Sequence, residues 1–292
     1  MTPTLKRIGG LGLIGIMVAG GATARTATEV WRTTGFSSPE SVEWDATAGV
    51  LYVSNMGADP MGKDGDGYIG TLGTDGVIKT DKWVTGLDAP KGMAVVGGKL
   101  YAADIDQLVE IETATAAITN RYPATGATLL NDMVAAPDGR IFVSDTFGNS
   151  VWVLDGGTMS LFVQDPALIG ANGLTIEGNA LIVANLGDIS QGFEKIKPGY
   201  VVSVDLTSKS ITPYGSSDPS GALDGVEPDG AGGVLITDNM GGRLLQQAPG
   251  GAAIEVGKLE PGAADLEVVA DQGLVIVPLT PANTVIGMTW SK

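Results

Sequence analysis

At several widely separated places in this chain, a polar residue with oxygen donors stands directly before an apolar, strand-like run. Glu40 opens "ESVEW", Asn131 opens "NDMVA", Asn172 opens "NGLTI", Asp224 opens "DGVEP" and Asp265 opens "DLEVV". One carboxylate or amide at a strand start is a turn residue. Several brought to one place can hold a hard divalent cation, which favours oxygen from carboxylates, amide carbonyls and water. Lys91 stands at the same kind of position in "KGMAV" and offers an ammonium instead. What the chain lacks narrows the chemistry further. With no histidine and no cysteine, it cannot carry a Ser-His-Asp triad, a Cys-His pair or a His-ligated zinc. Catalysis must rest on carboxylates, amides, hydroxyls, lysines or a metal held by oxygen.

These residues need a scaffold that gathers them, and the chain repeats one. "PESVEWDATAGVLYVSN", "PKGMAVVGGKLYAAD", "LNDMVAAPDGRIFVSD", "ANGLTIEGNALIVAN", "LDGVEPDGAGGVLITD" and "ADLEVVADQGLVIVP" share a plan. Each has a polar start, a short apolar strand, a turn, and a second apolar strand ending in Asp or Asn, or in Pro278 in the last copy. Aligned on Ser41, Gly92, Asp132, Gly173, Gly225 and Leu266, the copies step by 51, 40, 41, 52 and 41 residues. Six such copies predict an all-β fold, a six-bladed β-propeller with about four strands per blade. The β-branched runs "LYVS", "IFVSD", "LIVAN" and "VLITD" suit buried strands. Open sheet edges are a liability, so residues 28–36 are expected to close the ring as outer strand of the last blade, beside "NTVIGMTW". The first strand of each blade lines the central channel. The copies therefore place Glu40, Lys91, Asn131, Asn172, Asp224 and Asp265 in a ring around one mouth. Two readings stay open here: a cation site, or polar side chains that cap turns and bind water.

Composition bounds the partners. The formal charge is −16, which disfavours nucleic acid and anionic membrane surfaces. The first 24 residues have a basic start at Lys6 and Arg7, an apolar stretch from Ile8 to about Gly21, and Ala22-Thr23-Ala24. That pattern predicts a secretory signal cleaved after Ala24, leaving residues 25–292 as one domain in a secreted or periplasmic protein. No later stretch is apolar for long enough to span a membrane. Without cysteine, an exported fold must stand on its core alone.

In order and spacing, "PESVEWD" with "LYVSN", "LLNDMVAAPDGRIFVSD", "NGLTIEGNALIV" and "LDGVEPDGAGGVLITDNMGGRLL" resemble the SMP-30/gluconolactonase family of six-bladed propellers. The resemblance covers nearly the whole chain after the leader. It implies one divalent metal held by Glu40, Asn172 and Asp224, with Ca²⁺ first and Mg²⁺, Mn²⁺ or Zn²⁺ as alternatives. It also implies that Asn131 and Asp132 lie beside a small-molecule substrate, and that a lactone or related ester is opened by metal-activated water. Asp224 is the expected proton acceptor. The sequence departs from the family at Leu129, where an Arg that helps hold a sugar would stand. Lys91 can bind a substrate carboxylate or pair with acids such as Glu40. The competing functional class is a non-catalytic propeller that binds a ligand or a partner protein, with any metal structural.

Other signals are weaker. "GKDGDGYIG" at 62–70 has calcium-loop features, but Gly62 and Gly73 stand where the end ligands belong; it reads as a turn leading into a strand. Asn55, Asp104, Asp145, Asn185 and Asp238 end the second strands and are expected to cap turns. The five tryptophans are scattered and read as blade packing.

Overall fold

In the computed structural model, which describes residues 25–290, six four-stranded antiparallel sheets stand around one axis. The expected signal segment lies outside the described residues. The first strands of the blades are Pro39–Asp45, Pro90–Val96, Leu130–Ala135, Ala171–Glu177, Leu223–Pro228 and Glu267–Val269. Each contacts the first strands of both neighbouring blades, so together they form the channel wall. The ring closes as expected: Thr28–Thr34 pairs with Thr284–Thr289 as outer strand of the sixth blade. The Trp31 indole packs against Gly287 of that strand, where any β-carbon would collide with it, and Trp31 Nε1 donates to the Thr74 carbonyl of the first blade at 2.9 Å.

Stability comes from the faces between blades. Phe142, Val151 and Phe162 of the third blade pack on Leu174, Leu181 and Val202 of the fourth. Five equivalent clusters bridge the other blade pairs. Middle strands are therefore buried on both faces. That is why they read as unbroken apolar runs and not as alternating ones.

A local irregularity explains how polar residues can start a buried strand. In five blades the pairing of first and second strands slips by one residue over a short span, between Pro39 and Val42, Pro90 and Met93, Leu130 and Met133, Ala171 and Leu174, and Leu223 and Val226. Such a bulge lifts a residue pair out of the ladder and re-aims its side chains. In three blades the freed N–H finds a hydroxyl on the second strand. Ser41 N donates to Ser54 Oγ at 2.9 Å, Asp132 N to Ser144 Oγ at 3.0 Å, and Gly225 N to Thr237 Oγ1 at 2.9 Å.

The sixth copy requires a correction. Ala263 bridges Leu279 as Leu223 pairs with Asp238 in the fifth blade. Ala264, not Asp265, is thus the sixth mouth residue, and Asp265 lies one level deeper, equivalent to Asp132. The sixth blade carries the same one-residue offset as the fifth; what differs is that its mouth position is the apolar Ala264, so the next polar residue, Asp265, stood in for it.

Four of the five second-strand termini accept backbone N–H groups as expected; Asn185 instead donates from Nδ2 to the Ala167 and Tyr200 carbonyls at 3.1 and 3.0 Å. Asp104 accepts from Asp88 N and Ala89 N, Asp145 from Thr128 N and Leu129 N, and Asp238 from Ala222 N and Gly241 N. Asn55 accepts from Ser37 N at 2.9 Å. Each fixes the segment that leads into its own blade. Residues 62–66 form a turn into the strand Gly67–Leu72, with Asp64 and Asp66 accepting backbone N–H groups.

Candidate functional site

The bulged strand starts bring Glu40, Lys91, Asn131, Asn172 and Asp224 to the floor of one cavity of about 410 Å³ at the channel mouth. All five are buried. Asp132 is not among the lining residues. Its carboxylate accepts from Met133 N at 2.7 Å and, across the blade boundary, from Leu174 N at 2.6 Å. It ties the third blade to the fourth, as Asp265 ties the sixth to the first by accepting from Ser41 Oγ at 2.6 Å.

Three oxygens on the floor have no protein partner: Glu40 Oε2, Asn131 Oδ1 and Asp224 Oδ1. Buried polar atoms are nearly always hydrogen-bonded, so orphans on one surface are places for an ion, an ordered water or a ligand atom. Their orientations are set by neighbours. Asn131 Nδ2 donates to Thr146 Oγ1 at 3.1 Å, and Thr146 donates onward to the Ala171 carbonyl at 2.9 Å, which leaves the Asn131 carbonyl free. Asn239 Nδ2 donates to Asp224 Oδ2 at 2.8 Å, which leaves Oδ1 without a partner. Thr146 and Asn239 were missed in the sequence. Each is the residue just after a second-strand Asp, and Met56, Leu186 and Thr280 occupy the corresponding places in other blades, all lining the cavity.

The electrostatics are those of uncompensated negative charge. Burial, and next the neighbouring Asp224, push the Glu40 carboxyl well above its ordinary range. Asp224 is raised to about 7 by burial and then by Asp265, itself raised to about 6 by burial. Lys91 is the nearby cation, and burial lowers its pKa; its ammonium donates to the Pro60 carbonyl at 2.7 Å and the Ala89 carbonyl at 3.1 Å. No ion pair between Lys91 and Glu40 forms among the described residues.

The donor set fits a hard cation, with one condition. Among the described residues no three acidic side chains converge closely enough to form a cation site by themselves. Two carboxylates, Glu40 and Asp224, must be completed by the amides of Asn131 and Asn172. An all-oxygen set of this kind suits Ca²⁺ or Mg²⁺ and offers nothing to a thiophilic ion.

Below the floor the channel carries Glu43, Glu227 and Glu267. Glu43 accepts from Val95 N at 2.7 Å and Glu267 from Trp44 N at 3.0 Å. Burial first, and mutual repulsion next, raise Glu43 and Glu227 well above the ordinary range; burial raises Glu267 to about 7. An unfolded Glu titrates near 4.3. Between about pH 4.5 and 7 the folded chain therefore binds more protons than the unfolded one, so stability falls as pH rises through that window. All three residues are only partly buried by surface area, and for Glu267 that screening reduces the effect to on the order of 1–2 kcal/mol. In chelator, the melting temperature is expected to be a few degrees higher at pH 5 than at pH 8. Glu227→Gln should flatten that slope; an unchanged slope would show that these carboxyls do not repel one another.

No family's sequence profile matches the chain, and no curated protein matches it by sequence. Solved structures do match in shape. A gluconolactonase from Xanthomonas campestris, described as important in glucose secondary metabolic pathways, superposes with a TM-score of 0.66 at 16% identity, covering 91% of this chain and 90% of that one. A luciferin-regenerating enzyme superposes at 0.63 and 14% identity, over 91% and 95% of the two chains. A catalytically inactive virginiamycin B lyase from Staphylococcus aureus with quinupristin superposes at 0.61 and 14%, over 91% and 100%. Likeness at these identities speaks for the fold, and with the sheet order above it establishes the chain as a six-bladed β-propeller.

Proposed function

We propose that this chain is a hydrolase of the SMP-30/gluconolactonase type, exported from the cell, that opens a lactone or related small ester at the channel mouth. The observation that carries the reading is the set of three unpartnered buried oxygens, Glu40 Oε2, Asn131 Oδ1 and Asp224 Oδ1, on one cavity floor. Glu40, Asn172 and Asp224 would hold a divalent cation, with Asn131 as a further oxygen donor. Once bound, such an ion supplies Lewis acidity that polarises a carbonyl and acidifies water.

The remaining work falls to the chain's own side chains. Asp224, steadied by Asn239, takes a proton from the attacking water. The water oxygen bonds to the carbonyl carbon, the ring C–O bond breaks, and Asp224 returns its proton to the departing ring oxygen, leaving a hydroxy acid. Thr146 keeps the Asn131 carbonyl turned to the cavity.

The test is a panel of lactones and small esters assayed with and without chelator, alongside metal analysis of the purified protein. Chelator-sensitive ring opening of at least one class is expected. Stoichiometric metal with no turnover on any compound would instead make the chain a binding propeller.

A further inference from the structure

The cavity's walls are unlike its floor, and they come from the places where the repeat is interrupted. The two long steps between copies arise in the first and fourth blades. There the link between second and third strands runs from Asn55 to Gly67 and from Asn185 to Val201, against Asp104 to Gln107 in the second blade. Second strands end at the mouth, so both extensions rise beside the cavity. Both supply apolar wall: Pro60 and Met61 from one, Phe193 and Ile196 from the other. Met61, Phe193 and the fifth blade's Met240 are each about half exposed, at 53%, 51% and 49%. Large apolar side chains held in water around a concave, polar-floored site mark a surface that binds apolar matter. Leu129 continues that wall inward, and Phe147 stands 6.5 Å from Phe193, ring centre to ring centre.

Most of the wall's polar groups are already engaged. Thr146 donates to the Ala171 carbonyl, Thr280 to the Pro39 carbonyl, and Asp59 accepts from Met61 N. Lys91 is held by two carbonyls. What stays free on the wall is little for a body covered in hydroxyls: the second oxygen of Asp59, one N–H of Lys91 and the amide carbonyl of Asn239. Hydroxyls left without partners there are discriminated against. We infer that the mouth takes an amphiphilic molecule of drug-like size: a lactone or ester carbonyl on the acidic floor, and an aliphatic or aromatic body against Met61, Phe193, Met240 and Leu129. The nature of the head group rests on the hydrolase reading; the apolar body does not.

Binding of non-hydrolysable analogues separates the two. Five-membered lactams with alkyl tails of increasing length, and the polyhydroxylated gluconolactam, would be titrated calorimetrically into the whole protein. Affinity should rise about fourfold for each of the first several methylenes, with gluconolactam at least about 100-fold weaker than the longest-tailed member. Met61→Ser with Phe193→Ser should flatten that dependence while leaving the melting temperature in place, since both side chains are exposed. Affinity independent of tail length, or gluconolactam binding tighter, overturns the inference. The matching lactones, assayed for ring opening, report on the other reading. Tail-dependent binding with no ring opening sinks the hydrolase alone, and turnover of glucono-δ-lactone with tail-independent binding sinks the amphiphile alone.

Discussion

Asp224→Asn is expected to lower kcat/KM for ring opening by at least about 100-fold without lowering the melting temperature. The two halves of that result come from one feature. Asp224 sits buried at the floor with one oxygen held by Asn239 and the other unpartnered. Its carboxyl is driven up to about 7 by burial and by Asp265. The amide keeps the shape but cannot accept a proton from water, and it brings no negative charge to a cation. Removing one of several mutually repelling buried acids also relieves the folded state, so stability should hold or rise slightly. A purely structural residue would behave in the opposite way, losing stability first. Asn239→Ala is the companion: it leaves the carboxylate in place but frees it to turn, and a fall of about tenfold is expected. Steady-state kinetics and a thermal melt on each variant decide the matter. An active Asp224→Asn enzyme would remove this side chain from the mechanism.

The blades were legible because burial on both faces writes itself as apolar runs at a regular period, and the closing strand followed from counting. The convergence of Glu40, Lys91, Asn131, Asn172 and Asp224 on one cavity also followed, since equivalent positions in a ring share a rim. Three things were not legible. Asp265 was placed one level too high because the sixth copy carries the apolar Ala264 at the mouth, which leaves Asp265 as the nearest polar residue to stand in for it. Asp132 looked like a partner of Asn131 facing the cavity, yet both its oxygens are committed to backbone N–H groups. Which way a side chain leaves a bulge depends on the neighbouring blade, and that is a contact between segments distant in sequence. The supporting residues Thr146 and Asn239 were visible only as the residues after a capping Asp. Their partners, Asn131 and Asp224, lie 15 residues upstream in each case. The unequal steps between copies were in plain view, but only the structure shows that the extra residues build the cavity wall.

The glycines after the mouth residues lead to the second large expectation: Gly173→Ala should destabilise the fold by about 3 kcal/mol or more, or roughly 6–12 °C, and abolish activity. Gly173 follows Asn172 in the innermost strand of the fourth blade. A β-carbon there would collide with the Asp224 carbonyl oxygen and approach Val226 N to 2.7 Å and the Gly225 carbonyl carbon to 2.8 Å. These are backbone atoms of the next blade's innermost strand, so no rotamer change can make room. The two strands approach so closely because one has no side chain at the contact, and that approach sets Asn172 beside Asp224. Gly92 makes the same kind of contact with Asp132 Cα and the Asn131 carbonyl, and Gly225 with Leu266 N. Where the ring lacks a glycine at this level it has Ser41, Asp132 or Asp265, and Asp132 and Asp265 span the blade boundary through hydrogen bonds. A neutral control lies in the outer strand Ile254–Lys258, where a β-carbon on Gly257 would meet only side chains, the nearest being Ala27 Cβ at 3.3 Å. Gly257→Ala asks Ala27 and Leu244 to shift by a few tenths of an ångström and should change stability by no more than about 1 kcal/mol. Thermal melts of the two variants make the comparison. If Gly173→Ala were as stable as Gly257→Ala, the innermost strands would have room to part, and the mouth would not be held by backbone contact between blades.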